Sequence, residues 1–113
     1  MAAARGAHHI ETRPEERRVQ VRINGETVAD SRRALALTEG KLPTRWYLPR
    51  EDISVQLDPS DRRTTCPFKG EASHFSVGGE KAVAWSYEEP TEAVSAIRDL
   101  VAFYNERVDI QLD

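Results

Sequence analysis

Cys66, Lys69 and His74 fall within the stretch Arg62-Arg63-Thr64-Thr65-Cys66-Pro67-Phe68-Lys69-Gly70-Glu71-Ala72-Ser73-His74-Phe75. Cys66 is the only cysteine of the chain. A thiol with a base such as His74, or with a cation such as Lys69 beside it, is the arrangement that nucleophilic catalysis uses. An ammonium held by a constrained backbone can instead grip a phosphate or carboxylate, here with Arg50 or Arg62 assisting. Each group also has a plain structural reading. Cys66 can be a small buried hydrophobe on a strand, Lys69 a surface lysine pairing with Glu71, and His74 a half-buried, satisfied histidine. Tyr47, Tyr87 and Tyr104 carry hydroxyls that need partners when buried, and one or two of them can line a pocket beside Lys69.

The local backbone must place these groups. Thr64 and Thr65 are β-branched and suit an extended chain. Pro67 lacks an amide hydrogen, so a ladder stops or bulges there. Gly70 can take a positive φ and turn the chain directly after Lys69. Beyond the turn, Phe75 and Val77 share one face of an extended segment, and His74 and Ser76 share the other. With Phe75 inward, His74 faces outward or into a cleft.

The bulk properties set bounds. A length of 113 residues gives one domain, with residues 1–9 as a flexible N-terminal arm and residues 10–113 as the domain. Hydrophobic residues make up 39% and charged residues 31%, enough for a modest core and a well-solvated surface. The formal net charge of −3 is too mild to argue for nucleic acid or an anionic membrane. No apolar run approaches the roughly 20 residues that span a bilayer. Met1 to Arg17 has no apolar core of the signal-peptide kind, so a reducing cytoplasm is the expected compartment. A single cysteine excludes an internal disulfide and a cysteine-rich zinc site. The pair His8-His9 lacks a third ligand at sensible spacing, so no metal and no cofactor are expected.

Strand signals dominate the rest. Val19, Val21 and Ile23 alternate with polar residues, Asn24-Gly25 is a two-residue hairpin turn, and Glu26 to Asp30 returns. Ala34 to Thr38 continues this as a meander. Trp46 to Leu48 is short and apolar, and Pro49 to Asp52 is a polar turn or a single helical turn. Ile53, Val55 and Leu57 alternate as a further strand, and Asp58 to Asp61 has turn composition. Gly78-Gly79-Glu80 is a tight connection into a strand from Ala82 to Tyr87. A short helix is expected near residues 91–98, with Ala93, Val94 and Ile97 on one stripe and Thr91 as its cap. Leu100 to Tyr104 and Val108 to Asp113 are strands separated by the turn Asn105-Glu106-Arg107. The charge run Glu15 to Arg18 reads as a solvated face. The class is mainly β, with antiparallel hairpins.

The words Asn24-Gly25, Val28-Ala29-Asp30-Ser31, Pro49-Arg50-Glu51-Asp52, Cys66-Pro67-Phe68-Lys69-Gly70, Trp85-Ser86-Tyr87-Glu88 and Val101-Ala102-Phe103-Tyr104 occur in this order. In order and spacing they resemble the bacterial family catalogued as domain of unknown function 427, from about Ile10 to Asp113. The resemblance implies a β-tent-like fold, two small antiparallel sheets leaning together. Several β-tent relatives pin the sheets with cysteine-bound zinc, and with Cys66 alone that pin is absent here. The family is also labelled a nucleotidyltransferase domain. Common nucleotidyltransferases need a Gly-Ser word and closely spaced carboxylates for Mg²⁺. Only Asp58 and Asp61 stand near the central stretch, and both read as turn residues. The chain departs from the resemblance at His74, where members often have an aromatic, and at Asp99-Leu100, where they often have Gly-His.

The resulting expectation is a module that binds a small molecule or nucleotide-type ligand in a cleft lined by Tyr47, Arg50, Cys66, Lys69, His74 and Tyr87. The enzyme alternative is a transferase or hydrolase with Cys66 or Lys69 as the catalytic group. A third reading is an interaction module that offers a sheet edge to a partner or forms a homodimer. Nucleic acid and membrane are not expected partners.

Overall fold

A computed structural model of the chain describes residues 9–113. The expected N-terminal arm, with His8, lies outside them except for His9. Among the described residues the strands are β1 (Ile10–Pro14), β2 (Val19–Ile23), β3 (Glu26–Ser31), β4 (Leu35–Glu39), β5 (Arg45–Leu48), β6 (Asp58–Cys66), β7 (Gly70–Val77), β8 (Glu80–Ser86), β9 (Val101–Phe103) and β10 (Asp109–Leu112). They form two antiparallel sheets. The larger has the order β1-β4-β5-β9-β8-β7-β6, and the smaller β10-β2-β3. The fold is mainly β, as the strand signals require.

The alternation of β2 is expressed directly: Val19, Val21 and Ile23 are buried while Gln20 and Arg22 are half-buried. Asn24 and Gly25 both have positive φ, at 52° and 83°, which matches the twist of a two-residue hairpin. The closing strand β10 pairs with β2, so residues from opposite ends of the chain share the small sheet. That sheet packs on one face of the large sheet. Val19, Val21 and Val28 meet Leu48, Phe75, Val77, Val101 and Phe103 there in a single apolar core.

The other face of the large sheet has its own core, built from Leu37, Tyr47, Ala72, Trp85, Tyr87 and Ala102. It is covered in part by Val94 and Ile97 of a 3-10 segment, Glu92–Ile97. Adjacent positions on one strand therefore serve different cores. On β5, Tyr47 serves the second and Leu48 the first; on β9, Ala102 is flanked by Val101 and Phe103 in the same way.

Several expectations are corrected. The opening is not a meander: β4 leaves β3 and pairs with β1 and β5 in the large sheet. Residues 53–57 make no ladder beyond the bridge from Ile53 to Ala29. Ile53, Val55 and Leu57 are half-buried against the first core, so the alternation records one-sided burial of an extended segment. Asp58 to Asp61 is strand, not turn. Pro59 is accommodated because β6 is an edge strand, and the pairing with β7 loses register between Pro59 and Arg63.

The short helix is a kinked 3-10 segment whose Val94 has φ −127° and ψ 32°. Val94 and Ile97, three apart, are its buried residues, and Ala93 is exposed. Thr91 does not cap it with its side chain. The charge run is not wholly a solvated face either. Glu15 accepts hydrogen bonds from Trp46 Nε1 at 2.9 Å and from Arg17, which carry its carboxyl down to about 2.

Candidate functional site

The central stretch is a hairpin whose turn is tied to another part of the chain. Cys66 pairs with Gly70 across the ladder, and the Lys69 amide donates to the Cys66 carbonyl at 3.2 Å. The Lys69 carbonyl accepts from the Thr91 amide at 3.1 Å, and the Thr91 hydroxyl donates to the Phe68 carbonyl at 2.7 Å. Gly70 has φ 113°, and a Cβ there would sit 3.2 Å from the Glu89 carbonyl oxygen. Glycine is required both for the conformation and for the approach of that second segment. The Cys-Pro-Phe-Lys-Gly word is thus a clamped turn that fixes where the Lys69 stem begins.

From this turn Lys69 does not reach Glu71. Its ammonium donates to Glu39 Oε1 at 2.6 Å, at the end of β4. The pair is largely enclosed, with side-chain exposures of 14% for Lys69 and 11% for Glu39. Both residues line a hollow of about 170 Å³ on the second face of the large sheet. His74 and Tyr87 line it too, as does Leu42 at its rim, 62% exposed.

Trp85 and Tyr104 form an aromatic wall, with ring centroids 4.4 Å apart. His74 lies nearly parallel to Tyr104, at 17° and 6.3 Å. The Arg45 guanidinium stands 5.4 Å from the Trp85 ring and 5.6 Å from the Tyr104 ring. Arg45 is held by both oxygens of Glu106, at 2.9 and 3.2 Å, and by Asn105 Oδ1.

His74 is 2% exposed, and its Nε2 is 2.8 Å from Thr64 Oγ1. Its Nδ1 is buried with no hydrogen-bond partner among the described residues. Burial, with the charge of Arg62 adding to it, holds the imidazole below its ordinary range and therefore neutral near pH 7. Burial likewise pushes the Tyr87 phenol well above its usual value, helped by the nearby Cys66 and Glu39.

The residues singled out in the sequence divide into two groups. Lys69, His74 and Tyr87 converge on the hollow. Tyr47 lies beneath it in the second core, its hydroxyl accepting from Trp85 Nε1 at 3.1 Å, and it backs the wall rather than forming it. Cys66 is half-buried at the end of β6, close enough to Tyr87 to affect its ionisation, but is not a lining residue. Arg50 stands 5.3 Å over Phe75, which belongs to the opposite face of the sheet, and donates to the Asp99 carbonyl. Glu39, Arg45, Thr64, Trp85 and Tyr104 also line the hollow, together with the apolar Leu37, Leu42 and Pro43. Tyr104 was legible as a tyrosine whose hydroxyl needs a partner, but Glu39 and Arg45 gave no signal.

The family model described as Domain of unknown function (DUF427), named NTP_transf_9, matches residues 11–113. The chain belongs to this family. No curated protein matches it. In this DUF427 domain, no three His, Cys, Asp or Glu side chains come together in a metal-holding group among the described residues. No helix among them is long and apolar enough to cross a membrane.

Proposed function

We propose that this DUF427 domain is a small-molecule binding module, and that the hollow beside Lys69 is its binding site. The observation that carries the reading is the enclosed Lys69–Glu39 pair in the wall of a concavity faced by Trp85 and Tyr104. Enclosing an ammonium and a carboxylate costs about as much as their attraction returns, so such a pair is poorly explained by stability. A few polar groups converging on an aromatic-lined concavity are what ligand orientation needs. The occupant is small. A hollow of about 170 Å³ compares with cavities of roughly 150 Å³ that hold benzene, so a whole nucleotide would place only its base or another ring inside.

The family name favours nucleotidyl transfer as the second reading. Asp58 and Asp61, the carboxylates just ahead of the central stretch, are exposed on the edge strand β6 and do not line the hollow. A thiol-dependent reaction would draw on Cys66, which does not line the hollow, and alkylating Cys66 without loss of ligand binding would count against it.

A thermal-shift screen of nucleotides and metabolites tests the proposal. A ligand that binds only the folded state at 100 times its Kd adds about 2.7 kcal/mol of stability, a readable rise in Tm. The expected result is a ligand that raises Tm for the wild type but not for Lys69→Ala or for Leu42→Asp, a rim change with little effect on folding. No shift across the panel, or equal shifts in all three proteins, would overturn it.

A further inference from the structure

We infer that the hollow selects a planar six-membered ring bearing an amide edge, either a ring lactam as in a pyrimidine base or an exocyclic carboxamide. This rests on the binding reading above and adds the ligand's chemical class.

The ion pair supplies the code. Lys69 uses one ammonium hydrogen on Glu39 Oε1, and an ammonium has three. Glu39 engages Lys69 through that one oxygen, and a carboxylate has two, each able to accept more than one bond. Side by side in the lining, the pair therefore offers a donor next to an acceptor. A carbonyl adjacent to an N–H is the complementary edge: its oxygen takes a Lys69 hydrogen and its N–H donates to Glu39. A carboxylate ligand satisfies Lys69 but places a second anion against Glu39, which is enclosed and cannot be screened by bulk water. A free amine satisfies Glu39 but sets a cation against Lys69. Arg45 does not reverse the preference, because both Glu106 oxygens already neutralise it.

The ring is specified separately. Trp85 and Tyr104, with the Arg45 guanidinium over them, give the hollow a planar, aromatic lining against which a flat ring packs. The volume of about 170 Å³ admits one ring with its substituent.

An NMR titration of the 113-residue chain with benzamide, benzoate and toluene as probes tests the inference. Benzamide is expected to shift resonances of Lys69, Glu39 and Trp85, and to bind about fivefold or more tightly than either analogue, the factor that leaving a buried polar group unmatched costs at the least. Glu39→Gln provides the decisive variant. Its new side-chain carbonyl would face Lys69, leaving the amide N–H toward the ligand, so benzoate should overtake benzamide. Benzoate or toluene matching benzamide in the wild type would overturn the amide assignment while leaving a binding hollow in place. Failure of all three probes to perturb the hollow would also overturn it; the thermal-shift screen, which presupposes no amide, then decides the broader reading separately. If the variant does not fold, the wild-type series alone decides the matter.

Discussion

Gly70→Ala would force a side chain into a φ of 113° and within 3.2 Å of the Glu89 carbonyl. Strain of this kind costs on the order of 1–3 kcal/mol, and urea denaturation should find that loss, with the turn around Lys69 displaced. His74 makes a pH-dependent contribution of definite sign. Its unfolded pKa is near 6.5, and burial lowers the folded value. As pH falls through 6.5 the unfolded chain takes up the proton first, so stability is full above that value and declines below it. The slope of unfolding free energy between pH 7 and pH 5 should be positive and should flatten in His74→Gln; an unchanged slope would assign it elsewhere. Glu15, held at about 2 by Arg17 and Trp46, adds a separate loss that begins only below pH 5. Lys69 and His74 were legible because the Pro67-to-Gly70 turn and the alternation around Phe75 are local signals, and Tyr87 because a buried tyrosine hydroxyl needs a partner. Glu39 was not: its partner is 30 positions away in the chain, and a lone glutamate ending a strand has no distinguishing pattern.

Among the elements, the 3-10 segment Glu92–Ile97 illustrates what periodicity can and cannot specify. Val94 and Ile97 were correctly placed on a buried stripe, but spacing by three also fits a 3-10 turn. The segment is short, and docking of Val94 and Ile97 on the second core and the ties between Thr91 and the Phe68–Lys69 turn help hold it. Ile97→Ala should therefore cost about 2–5 kcal/mol, while exposed Ala93→Ser should stay within roughly 0.5 kcal/mol. Comparable losses for the two would contradict the assigned faces. Asp58 to Asp61 misled for a physical reason. Proline, aspartate and serine mark turns in composition, and an edge strand tolerates the same residues because its outer hydrogen bonds go unmade. Residues 53–57 misled in the opposite sense, since one-sided burial produces alternation without a ladder.

At the scale of the whole molecule, one sheet serves two cores. Its first face holds the small sheet, and its second carries the hollow. The mainly β class and most strand positions were legible, but the assignment of strands to sheets was not. The pairing of β10 with β2 joins distant parts of the chain, and no local pattern encodes it. Because Val101 and Phe103 alternate with Ala102 between the two cores, the faces should unfold together. Phe103→Ala is expected to cost about 3–5 kcal/mol and to keep tryptophan fluorescence and far-UV circular dichroism superimposable; separate transitions would mean independently stable layers. The hollow itself is best interrogated by soaking crystals of the wild-type protein with a diverse fragment set. Ring-bearing fragments should collect between Trp85, Tyr104 and the Lys69–Glu39 pair. Fragments that bind at other surfaces and leave this hollow empty would contradict its assignment as the binding site.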